Sequence, residues 1–285
     1  MSAVLVERVR SASTWLFVPA DRPERFDKAA AAGAGLVVLD LEDAVAPEAK
    51  NAARRNAVEW IAAGNVCAVR INAAGTEWHT DDLAAVAPLG CAVMLPKADA
   101  HSIGPVVAAL GGHPGISPVV ALIETAAGVF DAREVAATSD VHRLAVGTFD
   151  LAAELVVDPT DREALLGTRQ LLVLASAAAG LPGPIDGVTA AVDDAALLGD
   201  EAAYGRRLGF GGKLCIHPRQ LPPVAAAFRP SDADIAWARR ILAATSDSAG
   251  VVVVDGAMVD KPVVDRARRI LDLLDQITFD TEEPK

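Results

Sequence analysis

Two carboxylates stand at the ends of successive apolar runs. Glu124 directly follows "VVALI", and Asp150 lies four residues past "RLAV". Oxygen donors converging from neighbouring strand tips suit a hard cation such as Mg²⁺, which takes few carboxylates and keeps water and substrate oxygens around it. Each could instead cap the helix that follows it, a role acidic side chains often fill. Capping accounts for Asp150 better than for Glu124. Upstream, "LDLED" crowds Asp40, Glu42 and Asp43 into four residues. Like charges this close call for a cation or a proton. Glu42 and Asp43 read as groups that orient metal-bound water, or as a solvated acidic loop with one helix cap. Arg70 ends "CAVR" and offers a planar fork to a carboxylate or enolate oxygen, or a salt bridge to the nearby acids. Arg22, Arg25 and Lys28 form a small positive cluster that could grip a phosphate. His217 precedes Pro218, so a turn role is as good a reading as a chemical one.

What brings such residues together is an element repeated along the chain. Eight short apolar runs begin at Trp15, Leu36, Val66, Cys91, Val119, Arg143, Pro184 and Lys213, each closing on polar residues and most leading into a helical stretch. Strand, polar tip and helix in eightfold repetition predict a (β/α)₈ TIM barrel, whose catalytic groups gather at the C-terminal ends of the strands. Residues 1–14 read as a loose arm, and the seventh run, "GPIDGV", as the weakest strand. Past residue 230 the repeat stops. A helix, a hairpin around Asp255-Gly256 and a final amphipathic helix then predict a C-terminal lid or oligomerisation extension, giving a barrel over 1–230 and an extension over 231–285.

The bulk numbers narrow the function. A net charge of −12 disfavours nucleic acid, which needs a basic face. Three widely spaced cysteines in apolar runs suit a reducing compartment. With no signal-like or membrane-length apolar segment, a soluble cytoplasmic protein is expected. The glycine motifs lack the spacing of a Rossmann or Walker loop.

At these same tips the chain resembles the citrate lyase β-subunit-like family, CoA-ester lyases of the HpcH/HpaI aldolase superfamily that include malyl-CoA and citramalyl-CoA lyases. The segments that carry the resemblance are "LFVPADRPERFDKA", "VVLDLEDAVAPEAKNAAR", "VRIN", "LPKA", "ALIETAAGV", "GTFDLAAEL", "PIDGV", "KLCIHPRQL" and "GAMVDKPVVDRAR", in order from about residue 13 to 275. The resemblance implies a barrel assembled as a homotrimer or hexamer, Mg²⁺ as cofactor, and carbon–carbon bond cleavage or formation beside a CoA thioester. It makes Glu124 and Asp150 the metal ligands and Arg70 the substrate-binding arginine. It sets Phe17, Arg22 and Lys28 against the CoA ester, and gives Asp260 the part of a lid aspartate supplied by a neighbouring subunit. Ala127 departs from the pattern, since relatives often carry a charged residue there, and this bears on substrate identity. Three other readings stay open: a pyruvate-type metal aldolase without CoA, a subunit acting on an acyl-carrier-protein thioester, and a non-catalytic barrel.

Overall fold

Eight parallel strands close on one another in sequence order: β1 (Thr14–Pro19), β2 (Leu36–Asp40), β3 (Ala68–Arg70), β4 (Ala92–Leu95), β5 (Val119–Ile123), β6 (Val141–Val146), β7 (Ile185–Asp186) and β8 (Gly212–Cys215), with β8 returning to β1. This is the expected (β/α)₈ barrel, seen in a computed structural model that describes residues 2–113, 117–245 and 252–282. Every residue of β2 and β5 is buried. Inward side chains fill the barrel while outward ones meet the surrounding helices, so the strands read as unbroken apolar runs rather than alternating ones. Trp15, Val38, Met94, Val120, Leu122 and Leu214 belong to the core that fills the barrel. Register sets the height of the polar tips. Asp40 pairs with Pro19 on one side and Arg70 on the other, so these groups leave the sheet on one level.

The N-terminal segment departs from the expected loose arm. Ser2–Ser11 is a helix whose Leu5 and Val9 are buried in the barrel core at the N-terminal ends of the strands. A helix end leaves carbonyls unpaired, and Arg143 answers them from β6. Its Nη1 donates to Val9 O at 3.1 Å and Ala12 O at 2.7 Å, and its Nε to Gly183 O at 3.0 Å. Only the i, i+4 pair Leu5 and Val9 signals this helix, too little to set it apart from an arm.

The chain divides into two compact units, residues 1–225 and 226–285. In the second, the helix Asp232–Thr245 and the helix Lys261–Glu282 flank an antiparallel hairpin of β9 (Val252–Val254) and β10 (Ala257–Val259). Asp255 and Gly256 have φ of +52° and +78°, as a two-residue type I′ turn requires. Ala238, Ile241, Val259 and Ala267 form this unit's own buried cluster. Gly250 and Val251, which opened the expected hairpin, lie outside the described residues. Among the described residues no helix is long and apolar enough to cross a membrane, and Cys67, Cys91 and Cys215 are buried free thiols.

Candidate active site

At the C-terminal end of the barrel, Phe17, Asp40, Asp43, Arg70, Glu124 and Asp150 line one cavity of about 390 Å³. Neither of the two paired acids is used as a helix cap. Thr125 caps the helix after β5, its hydroxyl accepting from Gly128 N at 3.1 Å. Glu124 is left to point inward, only 4 % exposed. Asp150 sits in the first turn of the helix Thr148–Leu155, whose N-cap is Gly147 with no side-chain cap bond. Its carboxylate Oδ2 accepts from Lys97 Nζ at 3.0 Å.

Lys97 is the residue that sequence reasoning left without a role. Its Nζ lies 3.0 Å from Asp150 Oδ2, 3.3 Å from Glu42 Oε1 and 3.7 Å from Glu124 Oε1. Its backbone N–H donates to Glu124 Oε1 at 3.0 Å. The backbone there is left-handed, φ +49°, a conformation that costs a non-glycine residue about 1–2 kcal/mol. The signal in the sequence was its position at the tip of the fourth run, "LPKA". A lysine at a strand tip reads as solvated charge until its carboxylate partners from three other strands are seen.

Arg70 is spoken for by acids. Nε and Nη2 clasp Asp40 Oδ1 and Oδ2 at 2.7 and 2.6 Å. Nη1 lies 3.1 Å from Glu42 Oε2 and 3.7 Å from Asp43, and the guanidinium stacks 4.7 Å from the Phe17 ring centroid. The charge-balancing reading of Arg70 therefore holds, and the same side chain still lines the cavity. Asp40 is a clamp: its two oxygens also accept from Glu42 N and Ala44 N, shaping the acidic loop. Lys50 supports that loop from below, donating to Leu41 O, Glu42 O and Asn72 Oδ1. Arg22 and Lys28 are exposed on the first βα connection, and Arg22 lies 3.9 Å from Asp21. Asp260, exposed, precedes the last helix, where its carbonyl accepts from Val263 N and Val264 N. His217 accepts from Arg219 N through Nδ1 at 3.1 Å, which is the turn role.

The electrostatics of this cluster disfavour negative charge on its two glutamates. Burial pushes Glu124 up to about 8, with Glu42 adding repulsion and Lys97 opposing it. Burial likewise pushes Glu42 up to about 7, against the pull of Arg70. For Lys97, burial pulls down, but the hydrogen bond to Asp150 and the charges of Glu42 and Glu124 outweigh it and hold the ammonium charged. Glu42 Oε2 is buried without a hydrogen bond, its contact with Arg70 being poorly aligned. The donor set fits a hard divalent ion. Among the described residues no three His, Cys, Asp or Glu side chains form a ready-made metal cage; two carboxylates with open positions are what Mg²⁺ takes when substrate and water complete its shell.

A parallel barrel with acids, an arginine and a lysine converging at its C-terminal face defines an enzyme of the TIM-barrel class. Residues 13–218 match the HpcH/HpaI aldolase/citrate lyase family, and the chain belongs to that family of carbon–carbon lyases. It is 41% identical over 264 residues to the citrate lyase subunit beta-like protein of Mycobacterium tuberculosis (strain CDC 1551 / Oshkosh), covering 90% of this chain and 93% of the relative. It is 38% identical over 266 residues to (3S)-malyl-CoA thioesterase of Cereibacter sphaeroides (strain ATCC 17025 / ATH 2.4.3), covering 90% and 92%. Among solved structures, protein CitE from Mycobacterium tuberculosis in complex with magnesium, acetoacetate and coenzyme A aligns with TM-score 0.80 and 38% identity, over 93% of this chain and 98% of that one.

Proposed function

We propose that this chain is a Mg²⁺-dependent lyase that splits, or in reverse joins, a β-hydroxyacyl-CoA such as malyl-, citramalyl- or citryl-CoA into an oxo acid and an acyl-CoA. The observation that carries this reading is the convergence of Glu124 and Asp150, neither engaged in capping, on the Lys97 ammonium, with both acids and Arg70 lining one cavity. The magnesium and coenzyme A bound by the CitE relative support the same assignment.

Glu124 and Asp150 would hold the ion, with Glu42 and Asp43 orienting its water. Bound there, Mg²⁺ supplies a Lewis acid that draws charge onto the substrate's hydroxyl and carboxylate oxygens. Transfer of the hydroxyl proton to solvent water turns the hydroxyl carbon into the oxo acid's carbonyl, breaks the Cα–Cβ bond and leaves its electron pair as a thioester enolate. Arg70, fixed by Asp40 and stacked on Phe17, turns a rigid positive edge to that enolate. Asp260 delivers the proton to the enolate carbon, and takes it in the synthetic direction. Phe17, Arg22 and Lys28 meet the CoA portion, the two cations facing its phosphates. Residues 231–285 act as a lid over the site, and the active assembly is a homotrimer or hexamer.

The test is a panel of malyl-, citramalyl- and citryl-CoA with and without Mg²⁺, each product identified by mass. Cleavage of one thioester into oxo acid and acyl-CoA, abolished by chelator and by Asp150→Ala, is the expected result. Turnover of free hydroxy acids unaffected by CoA overturns it in favour of a pyruvate-type aldolase. Release of free CoA with an intact carbon skeleton would make the protein a thioesterase.

A further inference from the structure

We infer that Lys97 is the counter-ion of the metal-free site: its ammonium holds the carboxylates of Asp150 and Glu124 together until Mg²⁺ displaces it. The inference rests on the proposed metal site and adds a competitor to it. Three carboxylates that follow three different strands surround this one ammonium at 3.0, 3.3 and 3.7 Å. A cation bonded to the same oxygens of Asp150 and Glu124 must share their charge with Lys97 or drive it out, because two positive charges at one point repel strongly in a partly dry cavity.

The geometry gives the side chain somewhere to go. Lys97 and Glu42 line not the cavity of Asp150 and Glu124 but a neighbouring one of about 430 Å³, bounded by Asp43, Asn72 and Trp78. The Lys97 and Asp150 side chains are each 41% exposed, whereas Glu124 is 4% exposed and Glu42 8%. Against the two buried glutamates the lysine is the partner free to move, and Glu42 can keep the ammonium as it leaves Glu124 and Asp150. The left-handed turn at φ +49° serves the same end, since it lets the Lys97 N–H hold Glu124 Oε1 at 3.0 Å wherever the ammonium goes. Backbone positions the ligand, and side chain neutralises it.

The experiment measures Mg²⁺ binding by titration calorimetry on full-length protein stripped of metal, for the unmodified chain, Lys97→Met, Lys97→Arg and Asp150→Asn. Removing a competing cation should tighten Mg²⁺ binding by about tenfold in Lys97→Met, while Lys97→Arg, which keeps the charge, stays near the starting affinity. Weaker binding in Lys97→Met would show a lysine that only orders the ligands, and overturns the inference while leaving the metal site standing. No binding to the unmodified chain removes both; binding that survives in Asp150→Asn refutes the assigned site and the inference with it. A second measurement needs no variant. Lys97 should be acetylated by an amine-selective reagent several-fold faster with Mg²⁺ than without, read by peptide mass spectrometry. Equal or slower labelling counts against displacement.

Discussion

Glu124 and Glu42 carry their carboxyls into the fold at a cost, and the sign of that cost is measurable. Both have folded values raised above 4.5, to about 8 and about 7. The folded state therefore binds more protons than the unfolded one in that window, and stability falls as pH rises from about 4.5 toward 8. The metal-free melting temperature should decline across that range. Glu124→Gln should flatten the decline, and millimolar Mg²⁺ should raise the melting temperature most at the upper end. A profile that climbs with pH would contradict the charge balance described. Arg70 makes a second residue-scale prediction. Its guanidinium is clasped by a buried Asp40. Removing one partner of a buried pair costs about 3–5 kcal/mol. Arg70→Ala should therefore lose stability of that order in chemical denaturation, and Arg70→Lys should lose a smaller part along with the rate. Stability unchanged in Arg70→Ala would mean that Asp40 is served by its backbone donors alone.

At the scale of elements, the acids depend on a glycine at the end of β6. A Cβ on Gly147 would run into the Glu124 carboxylate and stand 2.6 Å from the Glu124 Cβ, and only a bare backbone lets β5 and β6 tips approach so closely. Gly147→Ala should leave the circular dichroism of the barrel intact yet abolish measurable Mg²⁺ binding; retention of full affinity would show that Glu124 is not a ligand. The same strand ends show what the sequence could and could not reveal. Runs such as "VVALI" give β5 to the residue, because both faces of a buried parallel strand are apolar. β3 starts at Ala68, two residues later than its apolar run, and β7 shrinks to Ile185–Asp186, because pairing with neighbours rather than hydropathy ends a strand. That Glu124, Asp150 and Arg70 meet at one cavity was legible from position alone. Lys97 was not, since its meaning lies in carboxylates up to 55 residues away. Arg143 was read as the opening of an apolar run, and its role as a clamp on the N-terminal helix depends on a contact 134 residues distant.

For the molecule as a whole, the second unit bears on whether one chain suffices for turnover. On the proposed reading, Asp260 supplies a proton to a site whose metal ligands lie in the barrel. Asp150→Ala and Asp260→Ala should each be inactive alone. If the lid reaches a neighbouring copy, mixing the two variants under conditions of subunit exchange should restore part of the activity, because some sites then receive an intact barrel and an intact lid. Verified exchange without recovery would assign the lid to its own chain. A fully active Asp260→Ala would remove the residue from the reaction. The N-terminal helix adds a kinetic consequence. With Leu5 and Val9 packed into the core that fills the barrel and Arg143 tying the helix down, products of the proposed reaction leave by the C-terminal face, and whatever sits deepest must wait for whatever sits above it. On the proposed reading the oxo acid, beside Glu124, is the deeper product and the acyl thioester fills the mouth, so release should be ordered, thioester first. In product-inhibition kinetics of cleavage, the oxo acid should then compete with substrate for the empty enzyme, and the acyl thioester should inhibit noncompetitively. The opposite assignment of patterns would mean that the small product finds a way out past its larger partner.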